Sequence, residues 1–324
     1  MSDPASRFGS LRYLSEHDVT ALLPPVAEQI DLIEDALRSV ARGTAHQPPK
    51  MPLDLGSDAT FAHAMPAAID RAQGRVAGAK WISGGGAAGI GGIVVVERAA
   101  AGGVRGIVAA AALTAARTAA VSGAALRAYP PMTATATAGG ISRGTIIGGG
   151  TQAVTHRAML AALYPSMQVA FYSRRLGSEL PLRDGDVVAP SADAAMRGAD
   201  VIITAAAFGT APREISSASI EPGATLLVID YATSITGELV ATLDARGPML
   251  VVTDSAAQFD ATRNAGKLGS WPAAALQLGG APAERAAGTT TLINHLGIAA
   301  CDIALADLLL DRAEAHSIGT LLAQ

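Results

Sequence analysis

Two kinds of residue in this chain are placed to do chemistry: glycines between an apolar run and a helix, and cations inside apolar surroundings. Gly148-Gly149-Gly150-Thr151-Gln152-Ala153 follows the strand-like run Thr145-Ile146-Ile147 and precedes Val154 to Leu163, which reads as a helix. In that context the first glycine makes a tight turn and the second lets the backbone approach a pyrophosphate. The third small residue packs helix on strand, and the helix N-terminus faces the phosphates. A second run, Gly84-Gly85-Gly86-Ala87-Ala88-Gly89, fits G-x-G-x-x-G more literally. It is followed by Ile90-Gly91-Gly92-Ile93-Val94-Val95-Val96, a strand, so no helix dipole is available and it reads as a hairpin loop.

The strand after the believable loop refines the ligand. An acid at its end would take the ribose hydroxyls of NAD. Here it ends Phe171-Tyr172-Ser173-Arg174-Arg175, with no acid. A serine and two arginines suit a 2′-phosphate, so NADP(H) is preferred and NAD(H) is the alternative. The competing reading is that the arginines solvate a loop. Thr118, and Thr204 at the end of Val201 to Thr204, complete the candidate cofactor set.

Arg117 lies in Leu113-Thr114-Ala115-Ala116-Arg117-Thr118-Ala119-Ala120, and Lys80 in Gly78-Ala79-Lys80-Trp81. A cation inside an apolar run needs an anionic partner, because burying its charge alone is costly. A substrate carboxylate or cofactor phosphate would serve. Equally, either side chain could snorkel to the surface.

The elements that must position these residues follow from periodicity. The segment Ser15-Glu16-His17-Asp18 opens like a capping box, and Pro24-Pro25 suits a helix start. Val26, Ile30, Ile33, Leu37 and Val40 form one helical face that Gly43 ends. Val76 to Ile82, Ile93 to Glu97 and Val104 to Ala111 read as antiparallel strands, followed by a helix from a Thr114 cap to about Tyr129. From about residue 140 the rhythm is strand, helix, strand: 145–147, 151–163, 168–172, a short helix over 192–198, then strands over 201–204, 225–230 and 249–253. That alternation implies a Rossmann-type doubly wound parallel sheet. A last helix runs over 299–316, and residues 1–10 read as a disordered leader.

Composition sets limits. The chain has 324 residues, enough for two domains with sizeable cores. Only 4% of residues are aromatic while half are hydrophobic, so alanine and glycine must bring elements close together. A net charge of −4 argues against a nucleic-acid surface. The longest apolar runs are too short for a membrane span. The single cysteine, Cys301, excludes an intrachain disulfide and fits a cytoplasmic protein. It stands beside Asp302, which does not favour a thiolate. The histidines, His17, His46, His63, His156, His295 and His316, show no metal-ligand spacing, and there is no G-x-S-x-G elbow.

At the Lys80 and Arg117 segments the chain resembles the ornithine cyclodeaminase/mu-crystallin family. The likeness extends from Leu14-Ser15-Glu16-His17-Asp18-Val19 to Gly297-Ile298-Ala299-Ala300-Cys301-Asp302. Its most specific pieces are Leu113 to Ala120 and the Gly-x-Gly-x-Gln-Ala loop. The resemblance implies an α/β fold with a substrate-binding and dimerisation domain at 1–130, joined by 300–324. A Rossmann domain at 131–299 would bind NAD(P), and the active site would lie between the domains of a homodimer. It implies that Lys80 and Arg117 hold a substrate carboxylate, and that Lys50 stands where an arginine is frequent, keeping charge but losing the bidentate fork. His295 would line the cofactor and Leu296 the substrate.

Two departures matter. Alignment on Glu238-Leu239 puts Ala232 where cyclodeaminases carry an acid/base aspartate. The nearest acid is Asp230, which could serve that role, cap a strand end or bind ribose. The position of a cofactor-binding threonine is Gly89. The resemblance therefore implies hydride transfer at a C–N bond of a small amino or imino acid, of the ketimine reductase, imine reductase or amino-acid dehydrogenase type. Lys80, Arg117 and Asp230 are its candidate catalytic groups. A cyclodeaminase-type lyase and a non-catalytic NADPH-binding protein are the alternatives.

Overall fold

The computed structural model describes residues 9–56, 60–72, 74–85, 89–100, 102–174, 180, 182–207 and 210–323. The expected leader falls mostly on residues 1–8, outside the described residues; Ser10 already belongs to a strand.

Along the chain come β1 (Ser10–Leu14), α1 (Glu16–Leu22), α2 (Val26–Ala41), β2 (Met51–Leu53), β3 (Thr60–Arg71), β4 (Gly74–Gly85), β5 (Ile90–Arg98), β6 (Val104–Ala109) and α3 (Ala111–Ala128). Then follow α4 (Ala134–Gly139), β7 (Arg143–Ile147), α5 (Thr151–Leu163), β8 (Gln168–Tyr172), β9 (Val187–Val188), α6 (Ala192–Met196), β10 (Val201–Thr204) and β11 (Thr225–Val228). The chain ends with α7 (Gly237–Arg246), β12 (Met249–Thr253), α8 (Ala256–Asn264), β13 (Leu276–Gln277), β14 (Thr290–Asn294), α9 (Ala299–His316) and β15 (Thr320–Ala323). Two compact units result, 1–117 with 297–324, and 118–296. The division falls inside α3, at Arg117 and Thr118, rather than at the proline pair that ends the helix.

The first unit is a seven-stranded sheet in the order β15-β1-β6-β5-β4-β3-β2, with α9 packed on it and α2 on α9. Helix and sheet approach closely because glycine makes room. A Cβ on Gly106 would lie 2.5 Å from the Leu310 side chain, and one on Gly78 would lie 3.3 Å from Ile303. Between that glycine-lined sheet and α2, α9 is buried almost throughout, including Asp302 and Asp307. Buried carboxylates need partners, and Asp307 finds Arg98 Nε at 3.0 Å and Arg105 Nη1 at 2.6 Å. The start of α3 differs from expectation. Its cap is not Thr114 but the Glu16 carboxylate, which accepts from Ala111 N and Ala112 N at 2.7 and 2.9 Å. A negative charge there also complements the helix dipole.

The second unit is an eight-stranded sheet in the order β13-β12-β14-β11-β10-β7-β8-β9, with every pair parallel. Chain order reverses direction between β7 and β10. That switch point is where ligands bind in doubly wound sheets, outside the carboxyl ends of the strands.

Candidate active site

In the second unit the loop Gly148 to Ala153 leaves β7 at this switch point and enters α5. Gly148 has φ +150° and donates its N–H to Tyr172 O at 2.9 Å. A Cβ there would stand 2.5 Å from Ala205 O, so the tight turn requires glycine. Gly150 is the N-cap of α5 and supplies no side-chain cap, which leaves first-turn amides available to a ligand. A Cβ on Gly150 would meet open space, the condition for a phosphate to approach the backbone. Ala153 is fully buried where α5 meets the sheet. Gln152 Oε1 is buried without a hydrogen-bond partner. Space and backbone amides fit a dinucleotide pyrophosphate.

Further along the same edge, Ser173 is partly buried and Arg174 is exposed; Arg175 lies outside the described residues. Tyr172 carries the Arg213 guanidinium over its ring at 5.7 Å, a tertiary contact with no local signal in the sequence. Thr204 is not free for a ligand. Its hydroxyl donates to Asp230 Oδ1 at 2.8 Å. Asp230 also accepts from Ala206 N at 3.1 Å and Ser234 Oγ at 2.6 Å. Burial pushes the Asp230 carboxyl up, against the downward pull of those hydrogen bonds. The carboxylate therefore ties the loop after β10 to the turn after β11. Its neighbour Tyr231 sits in left-handed backbone, φ 59°. Ala232 lines a cleft of about 320 Å³ with Thr233, Thr236 and Lys267. Thr118 and His295 are buried, His295 Nε2 lies 2.8 Å from Ser122 Oγ, and Leu296 N donates to Asp254 Oδ1 at 3.1 Å.

The first unit holds the buried cations. β4 turns Val76, Gly78, Lys80 and Ile82 towards α9, so alternation alone brings one lysine into an apolar face. Lys80 Nζ donates to Thr114 Oγ1 at 2.7 Å and to Asp302 Oδ1 at 2.8 Å. Arg117 Nε donates to the same Asp302 oxygen at 2.9 Å. Gly297, φ +82°, admits the guanidinium, since a Cβ there would lie 2.7 Å from Arg117 Nη1. Two cations share one carboxylate, which leaves one positive charge uncompensated within the cluster. Burial lowers the Lys80 pKa to about 8, against the raising effect of Asp302, and Arg117 and Lys50 lower it further. Lys50 is thus close enough to add positive field at Lys80.

A family model, described as the ornithine cyclodeaminase/mu-crystallin family, matches residues 12–317. The chain belongs to that family. Three solved structures share its fold. The archaeal alanine dehydrogenase dimer with bound NAD aligns with a TM-score of 0.78 at 20% identity, covering 97% of this chain and 99% of that one. The probable ornithine cyclodeaminase from Bordetella pertussis Tohama I aligns with a TM-score of 0.78 at 20% identity, covering 94% and 98%. The Thermococcus litoralis Δ(1)-pyrroline-2-carboxylate reductase, in complex with NADH and L-proline, aligns with a TM-score of 0.76 at 19% identity, covering 96% and 99%. Among curated proteins, the nodulation efficiency protein NfeD of Rhizobium meliloti is 28% identical over 207 residues, a match that spans 60% of this chain and 62% of that protein.

This member of the ornithine cyclodeaminase/mu-crystallin family gathers Lys50, Lys80 and Arg117 in one unit. It carries the glycine loop, Ser173, Arg174, Thr118, Thr204, Asp230, His295 and Leu296 in the other. Asp302 was legible only as the acid beside Cys301. Its signal was available: one charge inside the run Ile298 to Ala306, which is otherwise apolar. Among the described residues no His, Cys, Asp or Glu cluster could hold a metal ion, and no helix is long and apolar enough to cross a membrane.

Proposed function

We propose that the protein is an NADP(H)-dependent oxidoreductase acting on the C–N bond of a small amino or imino acid, of the ketimine or imine reductase type. One observation carries the reading: Lys80 and Arg117 bury two positive charges against the single carboxylate of Asp302. A substrate carboxylate would complete the balance, and Lys50 strengthens its attraction. Asp302 is then a positioning residue. It holds both cations in place and leaves their remaining donors for the substrate.

The dinucleotide belongs at Gly148 to Ala153, where the chain offers backbone amides and no intervening side chain. The cofactor supplies hydride when bound. Ser173 and Arg174 would take a 2′-phosphate, with Arg213 close to the same strand end. Lys80, with its pKa near 8, exchanges a proton readily close to neutrality. Reduction of a preformed iminium asks for no further acid, which agrees with Ala232 and with an Asp230 carboxylate already taken by three donors.

The outer face of the first sheet supports a homodimer. Ala64, Trp81 and Ile93 stand side by side across β3, β4 and β5, and Trp81 is 43% and Ile93 38% exposed. Pro66, Ala79, Val95 and Ile107 form the next row. An apolar face of this kind is a natural interface with a second copy.

A panel of cyclic ketimine carboxylates and 2-oxo acids with amines, incubated with NADPH, tests the activity by loss of the cofactor's near-ultraviolet absorbance. Ammonia release from ornithine without net cofactor change would instead identify a cyclodeaminase. Equal affinity for NADH and NADPH, unaffected by Arg174→Ala, would sink the 2′-phosphate assignment.

A further inference from the structure

Four polar groups of the second unit form a chain that the proposed chemistry does not use. Gln152 O lies 2.7 Å from His156 Nδ1, His156 Nε2 lies 2.9 Å from Ser122 Oγ, and Ser122 Oγ lies 2.8 Å from His295 Nε2. Ser122 and His156 are fully buried and His295 is 2% exposed. Gln152 and His156 share α5, whose first turn follows the glycine loop. Ser122 is on α3, and His295 follows β14.

The direction of every bond is set from one end. A carbonyl oxygen has no hydrogen to give, so His156 Nδ1 carries the proton. Burial lowers the His156 pKa to about 4, so at neutral pH the ring is neutral and Nε2 presents a lone pair. The Ser122 hydroxyl must then donate to His156. Its oxygen is left as an acceptor, and the hydrogen between Ser122 and His295 belongs to His295 Nε2. This holds whether His295 is neutral or protonated, because either form keeps Nε2–H.

We propose that Ser122 and His156 are positioning residues that hold His295 as its Nε2–H tautomer, which makes Nδ1 the only His295 nitrogen able to accept a hydrogen bond or a proton. Its value to a bound ligand rests on the function proposed above. Such an atom suits an N–H donor, either the carboxamide of a nicotinamide or the nitrogen of an amino acid. The same chain ties His295 to the first turn of the helix that would carry the pyrophosphate, so the two ends of the dinucleotide site are aligned through two side chains.

Nitrogen-15 histidine spectra of the full-length protein without cofactor test this directly, with His295→Gln used to assign the signal. The expected result is a single Nε2–H form of His295 that persists when NADPH is added. Ser122→Ala, a small change within an alanine-rich helix, is expected to release His295 into a mixture of tautomers. An Nδ1–H form in the unaltered protein, or a tautomer signature that Ser122→Ala leaves unchanged, would overturn the proposal. A structural role alone would lower stability without moving that signature. Failure of the unaltered protein to bind NADPH would remove the proposed function and leave the signature as it is, so the two readings fail separately.

Discussion

Lys80 and Arg117 converge on one atom, Asp302 Oδ1, at 2.8 and 2.9 Å, although the lysine lies on a strand 222 residues before the aspartate. Their mutual repulsion is tolerated because that oxygen stands between them. Asp302→Asn keeps the shape and removes the charge. Breaking a buried pair by removing one partner costs about 3–5 kcal/mol, and the urea midpoint should fall accordingly. A loss below about 1 kcal/mol, the range of exposed pairs, would mean that solvent already screens the cluster.

The depressed Lys80 pKa predicts a direction for stability against pH. Between about pH 8 and the ordinary value of 10.5, the unfolded chain holds a proton that folded Lys80 has released. Stability from this group therefore rises with pH through that window, by about 3 kcal/mol. Below pH 8 both states are protonated and the burial penalty is present in full. Subtracting the stability profile of Lys80→Met from that of the unaltered protein isolates the contribution. A flat difference across the window would show that folded Lys80 keeps an ordinary pKa.

Much of the second unit was legible because its signals are local. β8, β10, β12 and α5 have the expected bounds: the strands are short apolar runs, and α5 opens directly after Gly150. β3 was not, since Thr60 to Arg71 is rich in alanine and holds Pro66. That proline is tolerated because β2 pairs β3 only over Ala62 to Ala64, leaving the Pro66 side of the strand as an edge there. β14, only five residues long, takes its place from neighbours on both sides, which no local pattern reveals. The cation cluster was half legible. Lys80 and Arg117 announced the need for a partner, but a tertiary contact with α9 supplied it. Thr114 reads as a helix cap; the fold gives that task to Glu16, 95 residues before Ala111, and gives the threonine hydroxyl to Lys80.

The two glycines of the dinucleotide loop should separate folding from binding. Gly148→Ala puts a methyl against Ala205 O and should destabilise by about 1–3 kcal/mol. Gly150→Val meets open space and ordinary extended backbone, so its thermal midpoint should stay near that of the unaltered protein. NADPH affinity should nevertheless fall by roughly tenfold or more, about 1.4 kcal/mol. Unchanged affinity in Gly150→Val would place the pyrophosphate elsewhere.

Asp230→Asn distinguishes a loop anchor from an acid/base. The amide cannot accept from Thr204, Ala206 and Ser234 together, and the mismatch should cost about 1–3 kcal/mol. Turnover measured below the lowered melting point should stay within a few-fold of the unaltered protein. A collapse in kcat with an unchanged melting point would return Asp230 to the chemistry.

The proposed function requires the buried cations Lys80 and Arg117 to hold a substrate carboxylate. Its most direct measurement compares kcat/KM with NADPH for a cyclic ketimine carboxylate and for the corresponding carboxamide, in the unaltered protein and in Arg117→Met. A preference for the acid of roughly 10–100-fold is expected, the worth of one charged hydrogen bond of about 1.5–3 kcal/mol, with its loss in the variant. An equal preference in both proteins, or no turnover of either compound while NADPH binds tightly, would contradict it.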